Sequence, residues 1–173
     1  VYVSPLACIE NLLMVPEALA VVGHALGYTD DDIAQRTNEA ARRVAGHITK
    51  RREAVVATRA RAMARRRVGA LSITGNSLQD FINDVQTAVS EGVLTEQYAR
   101  AANVVDDALA ASRYEQLLGL DRNKGLVAEA AAAFGTHLDT FQSVFRRILR
   151  ESTALRAALQ DRLQRGGVLV ADD

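Results

Sequence analysis

Apolar residues recur at spacings of three and four along most of this chain, in a background dominated by Ala, Leu, Arg, Glu and Gln, with Gly as the main interruption. Such spacing lays one apolar stripe along an α-helix, whereas a half-buried strand would need strict alternation. The pattern predicts a mainly α protein: a helical bundle with one long projecting helix and at most a small remnant of an α/β sheet. A length of 173 residues suits one ordinary domain, or part of a larger one, and can bury a core without staples. Cys8 has no partner cysteine, which excludes disulfide and multi-Cys metal frameworks. With 49% apolar and 24% charged residues the chain belongs with globular proteins rather than disordered ones. No apolar run approaches the length of a membrane span and no secretory leader is visible, so a cytoplasmic protein is the expectation. The chain opens on Val1-Tyr2-Val3 rather than on Met, with no turn or cap before it, and is expected to be a fragment of something longer.

Local signals divide the chain further. Val1 to Val3 is the best strand candidate, ended by Ser4-Pro5. Pro16 suits the first turn of a helix running to about Leu26, where its missing N–H needs no partner, and Gly27 supplies the stop. Thr29 and Asp30 to Asp32 form a helix start in which carboxylates face unpaired N–H groups. From there a single helix is expected to reach about Arg67. Its seam of Ile33, Thr37, Ala40, Val44, His47, Arg51, Val55, Thr58 and Ala62 is apolar in the first half and diluted in the second, as for a helix that packs at one end and projects at the other. Ser77 caps a helix to about Glu91 with Leu78, Phe81, Ile82, Val85 and Val89 on one face, ended by Gly92, and Thr95-Glu96 starts the next. Three more helices are predicted over Gly125 to Phe134, Leu138 to Arg150 and Ala154 to Leu163. Val168 to Val170 reads equally as an edge strand or a tail.

Charge is segregated beneath a net of zero. Residues 1 to 35 hold five acids and no Lys or Arg, residues 36 to 67 carry a net of +9, and residues 68 to 112 a net of −5. The asymmetry therefore lives in one helix-length block. Within it Arg51, Arg52, Arg59, Arg65, Arg66 and Arg67 are candidate nucleic-acid contacts, because binding phosphate needs charge and the arginine fork grips two oxygens at once. An equal alternative is that these cations suit a helix C-terminus and a solvated arm, or meet the acids of residues 68 to 112. The block has no interleaved aromatic residues on which bases could stack.

Motifs of self-contained catalysis are missing: no phosphate loop, no strand-linked G-x-G-x-x-G, no H-E-x-x-H and no G-x-S-x-G. His24, His47 and His137 are too widely spaced for a local metal cluster and read as ordinary histidines. Asp30-Asp31-Asp32 resembles a cation site, but neighbouring helical side chains point about 100° apart, and capping is the better reading. Glu10, just after the strand candidate and ahead of an apolar helical turn, occupies a common place for a metal or phosphate ligand in α/β folds, with capping as the simpler alternative.

The order of these features resembles a family. Val1-Tyr2-Val3-Ser4-Pro5-Leu6, followed by Ile9-Glu10-Asn11-Leu12-Leu13-Met14-Val15-Pro16-Glu17, is similar to the strand and I-E-N-Y-L-L-D-P element of ATPases that carry an OLD-like TOPRIM nuclease module. Leu117-Leu118-Gly119-Leu120-Asp121-Arg122-Asn123-Lys124-Gly125-Leu126, with an Ala-rich helix ending at Phe134-Gly135, resembles their L-P-G-K-x-x-L element. Leu12 replaces the usual aromatic residue, Val15 the acid, and Arg122-Asn123 the Pro-Gly before Lys124. The resemblance implies an ABC-type ATPase head and carboxylates that hold divalent metal, Mg or Mn, for cutting nucleic acid, often in antiphage defence. By it Glu10 would lie at the metal site and Lys124 would be a catalytic cation near phosphate. The ATP-binding loop and principal acids would precede Val1. Residues 1–28 would end the TOPRIM-like element, 29–67 would form the basic helix, and 68–173 a C-terminal helical region. DNA or RNA is the expected partner, in a homo-oligomer. The competing expectation is a non-catalytic all-helical module for protein interaction or oligomerisation, using the same arm.

Overall fold

The computed structural model describes residues 9–70, 77–112, 114–121 and 125–165, with side chains from 11 to 163 within those ranges. Among the described residues every regular element is helical. The mainly α expectation holds; both strand candidates, Val1 to Val3 and Val168 to Val170, lie outside the described residues. No helix among them is long and apolar enough to cross a membrane. The chain divides into two compact units, residues 1–50 with 112–173, and residues 51–111.

The first unit contains a 3-10 turn (Ile9–Met14), α1 (Pro16–Ala25) and α2 (Asp30–Lys50) from the front of the chain. The later α6 (Tyr114–Leu118), α7 (Gly125–Ala133), α8 (Leu138–Glu151) and α9 (Thr153–Arg165) complete it. Pro16 occupies the first turn of α1, and Gly27 follows its end at φ 86°, a left-handed conformation that glycine adopts without Cβ strain. A reciprocal capping box starts α2. The Asp32 N–H donates to Thr29 Oγ1 at 3.2 Å, and the Thr29 N–H donates to Asp32 Oδ2 at 3.2 Å. This is the capping role expected of the acidic triplet.

Ile33, Ala40, Val44 and Ile48 form the buried stripe of α2, which packs along the Ala-rich α7. Small side chains on α7 let the two backbones approach, and Gly23 does the same for α1. A Cβ placed at Gly23 would fall 2.6 Å from Ile33 Cγ1 and 3.2 Å from Phe134 Cε1. Phe134 and Phe141 are fully buried and meet edge to face at 5.9 Å between ring centres. The carbonyl end of α7 is closed by side chains from far upstream. Tyr28 donates its hydroxyl to Phe134 O at 2.9 Å, Arg36 Nη1 donates to Ala133 O at 3.0 Å, and the Arg36 guanidinium lies 3.9 Å above the Tyr28 ring centre.

In the second unit α3 (Arg52–Gly69) packs mainly on α5 (Glu91–Ala110) and to a lesser extent on α4 (Leu78–Ala88). Its core is narrow: Val55, Val56, Ala88, Ala101, Val105 and Ala108, with Gln97 among them.

Two expectations about helix limits need correction. The single helix over 30 to 67 is interrupted at Arg51, whose φ of −111° and ψ of 12° separate α2 from α3. Residues before the break are held by α7 and those after it by α5, so two different cores set the backbone on either side. Gly92 does not end a helix but lies in the first turn of α5, which starts at Glu91 behind Ser90 rather than at Thr95-Glu96, while α4 stops at Ala88 short of the expected Glu91. Ser90 makes no side-chain capping bond, and the N–H groups of a first turn have no intrahelical partner, so little in the local sequence marks this start.

Candidate nucleic-acid interface

The arginines of the basic block fall into distinct environments. Arg51 is exposed at the break, and its carbonyl accepts the Val55 N–H at 3.0 Å. Arg52 makes a two-pronged pair with Asp106 on α5, Nε to Oδ1 at 2.7 Å and Nη2 to Oδ2 at 2.6 Å, and a third bond to Glu53 at 2.7 Å. The bond from Arg52 holds the Asp106 carboxyl below its usual range and raises the guanidinium further above its own. Glu53 also accepts from the Tyr98 hydroxyl, which lowers the acid and raises the phenol. Arg52 is thus occupied in tying α3 to α5, and its acid is one of those in residues 68 to 112. For this residue the competing structural explanation holds.

Arg59 is half-buried, and burial together with the neighbouring Arg66 pushes its guanidinium below the usual arginine range. Beyond it the picture changes. Arg61, Arg65, Arg66 and Arg67 are all exposed, and none forms an ion pair with a described residue. Arg61 and Arg65 stand one turn apart on one side of α3, while Arg65, Arg66 and Arg67 fan around it by about 100° each. Arg66 and Arg67 occupy the last turn, where the helix dipole favours cations. A fan of four unpaired guanidinium groups exceeds what one helix end needs. It can grip several phosphate oxygens and offers no geometry for reading bases.

Glu10 lies by its backbone in the 3-10 turn; Lys124 lies outside the described residues. The residue that sequence reasoning missed is Asn11, wholly buried beside Glu10. Its Nδ2 donates to Leu118 O at 2.7 Å and to Asp121 O at 3.2 Å, so one side chain joins the two segments that carry the family resemblance across more than 100 residues. Tyr114 reinforces the join by donating to Met14 O at 2.8 Å; burial pushes its phenol well above the usual range. A polar residue inside the apolar Ile9–Met14 run was the available signal, since a buried amide must find partners.

Other polar groups are locally committed. His24 lies 3.3 Å from Asp30, and His47 Nδ1 lies 3.7 Å from Glu129. Among the described residues no three His, Cys, Asp or Glu side chains converge to hold a metal ion. A cleft of about 270 Å³ is lined by Asp32, Gln35, Arg36, Glu39, Arg42 and Ala133. Its cations are already engaged, Arg36 with Ala133 O and Arg42 with Glu39 at 2.9 Å. No protein-family model, curated protein or solved structure matches the chain.

Proposed function

We propose that this chain is the C-terminal helical part of an ATP- and metal-dependent nuclease of the TOPRIM type, and that the arginine-rich end of α3 contacts the nucleic acid. The observation that carries the reading is Asn11, which packs the Ile9–Met14 turn against the segment leading to Lys124. Two sequence elements singled out for resembling parts of one catalytic module are thereby held as neighbours. Glu10 is one residue from this join and Lys124 three residues beyond Asp121.

The described residues do not assemble a metal site, so what the chain itself contributes is charge and position. Arg61, Arg65, Arg66 and Arg67 hold phosphates by ionic, sequence-independent contact, releasing counterions from the nucleic acid. ATP and the divalent metal, Mg or Mn, belong in this reading to the complete enzyme, in the setting of antiphage defence in the cytoplasm.

Four phosphate contacts on duplex DNA give a slope of about −3.6 in log affinity against log salt. Fluorescence anisotropy of this chain with a duplex of about 20 base pairs, across rising KCl, reads that slope directly. A flat response removes the contact. In the complete nuclease, Glu10→Ala and Lys124→Ala are expected to reduce metal-dependent cutting without loss of the helical circular-dichroism signal; unchanged cutting by both removes them from the site.

A further inference from the structure

Packing in the first unit leaves one side of α8 unexplained. The helix packs on α1, α7 and α9 through a side that buries Phe141 and Phe145. On the opposite side Ser143, Arg146, Arg147 and Arg150 recur at intervals of three, one and three residues, within about 100° of arc. All four are exposed. Arg146 reaches the neutral Gln142 at 3.4 Å, and none of the three guanidinium groups forms an ion pair with a described residue. The acids nearest in sequence, Asp139 and Glu151, make no ion pair with them.

The helix end does not call for these cations. Its last carbonyls are served from α9, where Arg156 Nη1 donates to Leu149 O at 2.9 Å and to Arg150 O at 2.6 Å. Arg156 thus places positive charge against the negative end of the α8 dipole, and Arg146 and Arg147 precede the last turn. The composition of the face then indicates what it meets. Among the described residues no large exposed apolar side chain lies on α8. A protein interface would show an apolar or aromatic centre there, and a helix lying in a membrane surface would turn an apolar side to the lipid. With Phe141 and Phe145 buried, unpaired bases would also find no ring to stack on. What the face offers is charge at a regular interval. Arg146 and Arg150 stand about 6 Å apart along the axis with Arg147 beside them, so three forks can reach neighbouring phosphates of one rigid strand.

We propose that the outer face of α8 is a second phosphate-binding surface, on which Arg146, Arg147 and Arg150 hold the backbone of a nucleic-acid duplex independently of its base sequence. The Ser143 hydroxyl, one turn before Arg146 and Arg147, adds a neutral donor to the same phosphates. The surface belongs to the first unit and shares no residue with the arginines of α3. It therefore goes beyond the contact proposed above and stands or falls separately from it.

Fluorescence anisotropy of the full chain with a duplex of about 20 base pairs, across rising KCl, tests this. Three further contacts take the expected slope of log affinity against log salt from about −3.6 to about −6.3. Combining Arg146→Ala, Arg147→Ala and Arg150→Ala is expected to return it to about −3.6, with the thermal midpoint unchanged because Arg156 still serves the helix end. Changing the same three to Lys keeps the charge and is expected to keep the slope. An unchanged slope in the alanine variant overturns the proposal, and a lowered midpoint beside it would make these arginines part of the fold. Equal affinity for a single strand of the same length, or for vesicles of equal parts phosphatidylserine and phosphatidylcholine, lost in the same variant, overturns the duplex as the partner. The α3 contact fails by a different result: alanine at Arg65, Arg66 and Arg67 would leave the slope alone while alanine on α8 lowers it.

Discussion

The two units of this protein are stabilised by different means. In the first, α1, α2, α7 and α8 enclose large side chains completely, among them Met14, Leu19, Ile48, Phe134 and Phe141, and the buried amide of Asn11 reaches two carbonyl acceptors. In the second, three helices share a core of Val and Ala, and the ties between α3 and α5 are partly ionic and exposed, through Arg52, Asp106, Glu53 and Tyr98. About sixty residues are at the margin of what a single apolar core can stabilise. What the second unit lacks in burial it has in free surface: unpaired arginines at one end and uncovered apolar side chains along α4 and α5. A thin core leaves apolar surface uncovered, and the unit with the weaker core is the one that shows it.

The contrast can be broken most directly at Phe134. Truncation to Ala removes the ring on which Tyr28, Phe141 and the Gly23 crossing converge, and a loss of about 3–5 kcal/mol in stability by denaturant unfolding is expected. If the loss is below about 1 kcal/mol, the first unit is not organised around this ring. Asn11→Ala comes next, at about 1–3 kcal/mol, because the Leu118 and Asp121 carbonyls lose their donor inside the protein. Hydrogen exchange is expected to place that loss in the first unit.

Acid sharpens the comparison from the other side. Asp106 and Glu53 have folded-state pKa values below their ordinary ones, so the stability they lend is present above the usual carboxylate range near pH 4 and disappears as pH falls through the lowered values. Protection against hydrogen exchange on α3 and α5, after correction for the intrinsic slowing of exchange in acid, is therefore expected to fall from pH 6 to pH 3 more than protection on α2 and α7 does. Arg52→Ala should remove most of that difference; an equal response in both units would show that these pairs contribute little. The smallest effect on stability is expected for Arg65→Ala with Arg66→Ala and Arg67→Ala. The thermal midpoint should stay where it is while affinity for duplex falls and the salt slope flattens by about one for each phosphate no longer held. A clear drop in midpoint would place these three among the structural arginines with Arg52.

Much of the fold was legible because it is governed by near neighbours. The Thr29–Asp32 box, Pro16 at a helix start, Gly27 after its end and the Ser77 cap of α4 are decided within a few residues, and each stands where the pattern put it. The candidate site was legible only as a composition. That an arginine-dense stretch exists can be counted; that Arg52 is bound while Arg65 is free depends on α5 bringing Asp106 alongside one and nothing described alongside the other. Asn11 stood out as a polar residue in an apolar run, but its partners were illegible for the same reason, since its acceptors are more than 100 residues away.

The sequence by itself determined that this chain is helical, roughly where its helices start and stop, and that its cations are concentrated in one block. Periodicity, capping and charge density are local properties, and local sequence sets them. Tertiary structure alone decided that the long basic helix breaks at Arg51, which arginines are left unpaired, and that α4 leaves Leu78 and Phe81 in solvent. Those outcomes depend on which distant surface arrives to compete for each group, a choice made by packing between elements and written at no single position of the chain.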